Sequence, residues 1–201
     1  MTLYKNKYRI ESTRLPHHNY AANGWYFVTI CTKDKLWFFG DIVSGNIQFS
    51  AIGEIATKFW SDIPNHFQDV YLDAYIIMPN HVHGIIVIER SHNEESHEQT
   101  HGDQGETRRG TSLQSTSLQR TDESNKFAPL KPGSLQAIIN AYKSSVTRWC
   151  RKNGYDNFAW QPRFYDHVIR DEHSLAKIQE YIVNNPDKWD EDQDNPANLW
   201  M

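Results

Sequence analysis

The period of the hydrophobic pattern changes repeatedly along the chain, and each change predicts an element. From Trp25 to Thr32, WYFVTICT is rich in aromatic and β-branched residues and reads as a buried central strand. KLWFFGDIVSGNIQFS, Lys35 to Ser50, then reads as a hairpin turned by Ser44, Gly45 and Asn46. Between Ala51 and Phe67, Ile52, Ile55, Ala56, Phe59, Trp60 and Ile63 recur at three and four, the stripe of an amphipathic helix. VYLDAYIIMPNHVHGIIVIE, Val70 to Glu89, predicts two strands joined by a tight turn at Pro79 and Asn80, so that His81 and His83 open the second strand.

From 91 to 133 the pattern disappears. Polar residues dominate, large apolar ones are almost absent, and TSLQ is repeated within TSLQSTSLQ, all of which predicts a disordered insert in a single domain spanning 1–201. Periodicity resumes in SLQAIINAYKSSVTRWCRKNG, with Ser134 as a cap, a helical apolar stripe and Gly154 beyond its end. A short strand is expected around His167 to Ile169, then a helix from Leu175 to about Asn184, capped by Ser174 and stopped by Pro186. This order predicts an α+β fold: a ferredoxin-like, split βαβ sandwich with a mainly antiparallel sheet and helices on one face.

Composition narrows the class. The 201 residues are 38% hydrophobic and 13% aromatic, enough for one good core. No stretch approaches the roughly 18 apolar residues of a membrane span, and the N-terminus lacks an apolar leader, so a cytoplasmic protein without a membrane partner is expected. Cys31 and Cys150 form neither a Cys-x-x-Cys pair nor a disulfide framework. The net charge of −4 hides an asymmetry. From Ser134 to Arg170, six basic residues (Lys143, Arg148, Arg151, Lys152, Arg163, Arg170) face two acidic ones; beyond Arg170, two face eight. Basic residues interleaved with Trp149, Trp160, Phe164 and Tyr165 suit phosphates and unpaired bases, and equally suit a solvated helix face above core aromatics.

Two constellations carry candidate chemistry. On a strand, His81 and His83 point to one face roughly 7 Å apart, a spacing that a divalent ion can bridge and that satisfied structural imidazoles also show. His17, His18, His92, His97 and His101 lie in polar segments without a rigid frame, which suits solvation better than ligation. In QEYIVNNP, Tyr181 and Asn185 stand four apart, so on a helix the phenol and an amide oxygen share a face. Tyr142, also on a predicted helix near basic residues, is the rival nucleophile, and Gln179 is an alternative polar ligand.

MPNHVHG, WQPRFYDHVIRDE and EYIVNNPDKW, in this order, resemble the REP-associated tyrosine transposases, relatives of small insertion-sequence transposases with a His-hydrophobic-His (HUH) motif and one catalytic tyrosine. The resemblance runs from Trp25 to Trp189 and departs at the insert. It implies a metal-dependent endonuclease and strand transferase for single-stranded DNA beside a hairpin. Position by position, His81, His83 and Asn185 would be ligands to Mg²⁺ or Mn²⁺, and Tyr181 the nucleophile forming a covalent phosphotyrosine. Lys143, Arg148, Arg151, Lys152, Arg163 and Arg170 are the candidate DNA contacts. Such proteins act as homodimers, and the alternative within the same fold is a nucleic-acid-binding module that has lost cleavage.

Overall fold

The structure, a computed structural model, describes residues 3–4, 7–8, 15, 18–91 and 130–191. The chain divides into two units, one formed by 1–90 with 130–201 and the other by 91–129. The second unit lies almost wholly outside the described residues, and with it most of the insert expected at 91–133 and His92, His97 and His101. His17 lies outside them as well.

Two short strands, β1 (Leu3–Tyr4) and β2 (Lys7–Tyr8), pair with each other ahead of the main fold. The four-stranded sheet consists of β3 (Gly24–Cys31), β6 (Val70–Ile77), β7 (His81–Ile88) and β8 (Tyr165–Ile169), in the order β6-β7-β3-β8 with every neighbouring pair antiparallel. That is the strand order of the split βαβ plan. The hairpin of β4 (Gly40–Val43) and β5 (Asn46–Phe49) stands as a separate small sheet. Ser44 (φ 53) and Gly45 (φ 73) form its two-residue turn, the left-handed pair that matches strand twist. The hairpin begins later than its apolar run implied, since the Phe38 N–H turns back to the Leu36 carbonyl and the Phe39 N–H bonds the Pro79 carbonyl instead of a hairpin partner.

The helices are α1 (Ala51–Ser61), α2 (Ile63–His66), α3 (Leu135–Lys152) and α4 (Glu172–Val183). Ser134 caps α3 as expected, accepting from the Ala137 N–H, and Ser50 caps α1, accepting from the Gly53 N–H. α4 starts earlier than expected. Asp171, rather than Ser174, is its cap, accepting from the Ser174 N–H at 2.8 Å, because a carboxylate outcompetes a hydroxyl for the orphan donors of the first turn.

The helices do not all lie on one face. Tyr26, Val28, Ile30, Val82 and Ile86 bury one face against α1 and α3, through Ile52, Trp60, Ile138 and Val146. Phe27, Ile85, Val87 and Ile169 bury the other against Leu175, Ile178 and Ile182 of α4. β3 and β7 have apolar residues at both alternating sets of positions, so both faces require cover, and α4 provides the second layer. A bulge in β6 between Leu72 and Tyr75 carries Asp73, which accepts from Gln179 of α4 at 2.7 Å and fixes that helix across the strand.

The insert leaves and rejoins the fold at a tied point. Arg90 donates to the carbonyl of Gly133 at 2.8 Å and to that of Ala21, while its backbone N–H binds Asn23 Oδ1 at 2.9 Å. Closing a long insertion between ends held together costs little, since loop-closure entropy grows slowly with length.

Candidate active site

Strand alternation places His81 and His83 on the face that α4 covers, and β7 lies between β6 and β3, so both imidazoles are buried, 0% and 2% exposed. Their ring centres are 4.3 Å apart, closer than strand spacing alone gives, because the two rings lean together.

His81 has its tautomer set by a neighbour. The Asn80 amide nitrogen donates to the Lys35 carbonyl at 3.1 Å, which leaves Asn80 Oδ1 turned to His81 Nδ1 at 2.8 Å. An oxygen there requires a proton on Nδ1, so Nε2 carries the lone pair. That Nε2 is buried and has no hydrogen-bond partner. Desolvation, with the nearby Lys35 charge adding to it, pulls the His81 pKa down to about 3, so the ring stays a neutral acceptor at neutral pH.

His83 is held on both sides. Its Nδ1 lies 2.9 Å from Thr29 Oγ1 on β3, and its Nε2 lies 3.2 Å from the hydroxyl of Tyr181 on α4. Phe27 stacks on the imidazole at 5.4 Å and meets the Tyr181 ring edge-on at 6.3 Å. Tyr181 is 41% exposed, so a phenol that touches a buried imidazole is also open to solvent. Tyr142, by contrast, is packed between Trp60 and Trp160, 5.1 and 5.7 Å away, and burial raises its pKa far above that of an ordinary phenol. It is a core residue on the opposite side of the sheet from the histidines.

Asn185 does not continue α4, as its spacing from Tyr181 implied. The helix ends at Val183, and Asn185 sits 2% exposed in the turn where Pro186 opens a 3-10 segment, since the residue before proline is driven out of the helical region. From this segment it is Trp189 whose ring approaches His81, at 6.0 Å. Gln179, the alternative ligand, is engaged by Asp73. Among the described residues no group of three or more His, Cys, Asp or Glu side chains is gathered to hold a metal. Two imidazoles alone would leave most coordination positions of a divalent ion to other donors, water or phosphate.

The basic residues are divided. Lys143, Arg148 and Arg151, with Asn140, Ser144 and Thr147, line a groove of about 410 Å³ along α3, which packs on the sheet face away from the histidines. Lys143 is committed within it, donating to the carbonyls of Gln161 at 2.8 Å and Arg163 at 3.1 Å beside the Trp160 ring, and burial draws its pKa down to about 8. Lys152, Arg163 and Arg170 are exposed at the end of α3 and on either side of β8. Tyr165 faces the histidine side, paired with Thr29 and 49% exposed. His18 is not simply solvated, since its Nε2 lies 3.3 Å from the Tyr26 hydroxyl and its ring packs edge-on against Tyr20.

Sequence reading missed Thr29, Phe27 and Trp189, which come from other elements, and took Asn80 for a turn former only. Its position directly before His81 was the one available signal. Among the described residues no helix is long and apolar enough to cross a membrane.

No protein-family model matches the chain. It is 38% identical over 183 residues to a protein of Haemophilus influenzae described as uncharacterized, a match that covers 90% of this chain and 91% of that one. Among solved structures it resembles a REP-associated tyrosine transposase bound to a REP hairpin, with 16% identity, a TM-score of 0.50, and coverage of 94% of this chain and 74% of the other. The two share a fold.

Proposed function

We propose that this chain, which belongs to the same family as the Haemophilus influenzae protein and has a transposase fold, is a metal-dependent endonuclease and strand transferase for single-stranded DNA beside a hairpin. The observation that carries the reading is the meeting of three groups from two elements: the Tyr181 hydroxyl 3.2 Å from His83 Nε2, beside a His81 Nε2 that is buried, lone-paired and unpartnered. A purely structural pair would have no need of a half-exposed phenol on one imidazole beside an unpartnered nitrogen on the other.

His81, His83 and Asn185 would hold a divalent cation, Mg²⁺ or Mn²⁺, which when bound withdraws charge from a nonbridging phosphate oxygen. The protein's own residues do the remainder. Thr29 and Phe27 fix the His83 ring, Asn80 fixes that of His81, and α4 presents the phenol at the sheet. The Tyr181 oxygen attacks phosphorus, the bond from phosphorus to one sugar oxygen breaks, and the proton lost by the phenol is balanced by the one gained by the leaving hydroxyl. Because a phosphotyrosine diester forms, a DNA hydroxyl can later displace the tyrosine, and the strand is rejoined without a nucleotide cofactor. Exposed Arg163 and Arg170 beside β8 fit phosphate contacts along the strand. The working form is a homodimer.

Incubation with labelled single-stranded hairpins and Mn²⁺ should give a covalent protein–DNA adduct at Tyr181. Tyr181→Phe should bind the same DNA and form none. An adduct at another residue, or cleavage by Tyr181→Phe, would overturn the assignment; binding without any adduct would leave the binding module as the correct reading.

A further inference from the structure

Trp37 is 45% exposed and its neighbour Leu36 53%, although both lie in the apolar run that leads into the β4–β5 hairpin. An indole so open is usually either unimportant or displayed. The backbone beneath it indicates display. Asp34 (φ 56) and Lys35 (φ 52) are consecutive non-glycine residues in the left-handed region, a conformation that persists only where surrounding contacts impose it. Those contacts are present: the Lys35 carbonyl accepts from Asn80 Nδ2 at 3.1 Å, the Leu36 carbonyl accepts from Thr32 Oγ1 at 2.7 Å and from the Phe38 N–H at 2.9 Å. The asparagine that sets the tautomer of His81 therefore also holds the loop carrying Trp37.

The loop is also in ring contact with the site. Trp37 meets Trp189 edge-on at 5.8 Å, and Trp189, only 5% exposed, lies 6.0 Å from His81 and inclined to it by 32°. A row of three rings thus leads from the buried imidazole to an open indole face, with exposed Lys33 in the same turn. Flat apolar surface beside a cation is the surface on which unpaired bases stack, because every base has a π-face and every nucleotide a phosphate.

We propose that Trp37 is a stacking platform for a base of the unpaired strand that flanks the phosphate at the histidine pair. The proposal rests on the functional reading above and adds to it a subsite for a nucleobase. A folded stem cannot use the platform, since its bases are already stacked on one another; a single-stranded tail can.

The test uses the full chain carrying Tyr181→Phe, so that binding is read without cleavage. Fluorescence anisotropy is measured for two labelled hairpins, one with an unpaired tail and one blunt. Trp37→Ala should weaken binding of the tailed hairpin about tenfold or more, the loss of one base stacked on an aromatic ring, and change the blunt hairpin less than about twofold. Trp37→Tyr should restore most of the affinity, and Tyr155→Ala, an exposed aromatic stacked on Trp149 at the end of α3, should change neither. A 2-aminopurine in the tail should be quenched by the protein with Trp37 and less by Trp37→Ala. Equal loss on both hairpins, or none on the tailed one, overturns the platform. So does a change in the protein's self-association with affinity for DNA unchanged, which would make the patch a contact between copies. Failure of the Tyr181→Phe protein to bind any hairpin overturns the functional reading itself, whereas loss of the platform alone leaves the adduct at Tyr181 intact.

Discussion

Asn80→Ala tests the connection between fold and site most directly, because one buried amide serves both. Asn80 is fully buried; its oxygen receives His81 Nδ1–H at 2.8 Å and its nitrogen donates to the Lys35 carbonyl at 3.1 Å. The alanine variant keeps the backbone carbonyl, which continues to accept from the Thr32 N–H and hydroxyl, so the turn itself survives. What is lost is the partner of a buried imidazole N–H, at about 1–3 kcal/mol for an orphaned donor, and one part-buried hydrogen bond to the Lys35 carbonyl, at about 1 kcal/mol. The expected destabilisation is about 2–4 kcal/mol in urea unfolding at pH 7. In the His81→Phe background, where no N–H is stranded, the same substitution should cost about 1 kcal/mol, a coupling of at least about 1 kcal/mol.

The same substitution releases the tautomer. Without Asn80 Oδ1 the Nδ1 proton has no fixed acceptor, and Nε2 is no longer obliged to carry the lone pair. Loss of an orienting partner of this kind typically weakens metal affinity roughly 10- to 100-fold. The rise in melting temperature caused by Mn²⁺ should shrink accordingly, by about 1.4–2.7 kcal/mol of linked stabilisation at a fixed Mn²⁺ concentration well above Kd. Asn80→Asp, which retains the acceptor, should keep most of the Mn²⁺ response. A cost below about 0.5 kcal/mol, or strict additivity with His81→Phe, would refute the tautomer argument whatever the protein's activity.

Two further outcomes concern β7, one on each of its faces. Gly84→Ala should destabilise by about 1–3 kcal/mol, because a Cβ there would lie 2.3 Å from Trp60 Cζ2 and 3.1 Å from Tyr75 Cβ in a packed core; Trp60→Phe should recover part of the loss, and a neutral Gly84→Ala in thermal melts would refute the packing reading. Between pH 6.5 and 3 the unfolded chain binds a proton at His81 that the folded chain refuses, so stability should fall as pH drops through that window, by up to about 1.4 kcal/mol per unit from this group. His81→Phe should flatten the urea-midpoint profile over that range, and parallel profiles would refute it.

What the sequence disclosed and what it hid differ by a physical criterion. Strand alternation and helical spacing are local, so WYFVTICT, the HVHG strand and the α3 stripe could be placed from their own residues, and the order of elements was enough to define the split βαβ plan. The face assignment was less accessible. Hydrophobic residues at both sets of positions in β3 and β7 require two covering layers, but nothing within those strands says which helix supplies the second. That was decided by Ile178 and Ile182 of α4 clustering with Phe27 and Ile85, residues that lie far apart in the chain.

The site follows the same division. His81, His83 and Tyr181 were visible because residue type and spacing restrict what they can do, and α4 brings the phenol to His83. The groups that determine how they do it were not visible, since a threonine in a strand and a tryptophan in an acidic tail have no distinguishing pattern. Thr29 reaches His83 only because β3 pairs with β7 in a register that sets the two residues opposite each other, and a slip of one residue would turn the hydroxyl to the other face. The environment of the histidine pair is therefore a property of strand register as much as of the motif: the same HVH on an edge strand would give two solvated imidazoles, whereas between β6 and β3 the His81 Nδ1 is held by an amide oxygen and the His83 Nδ1 by a hydroxyl, with the Tyr181 hydroxyl at His83 Nε2.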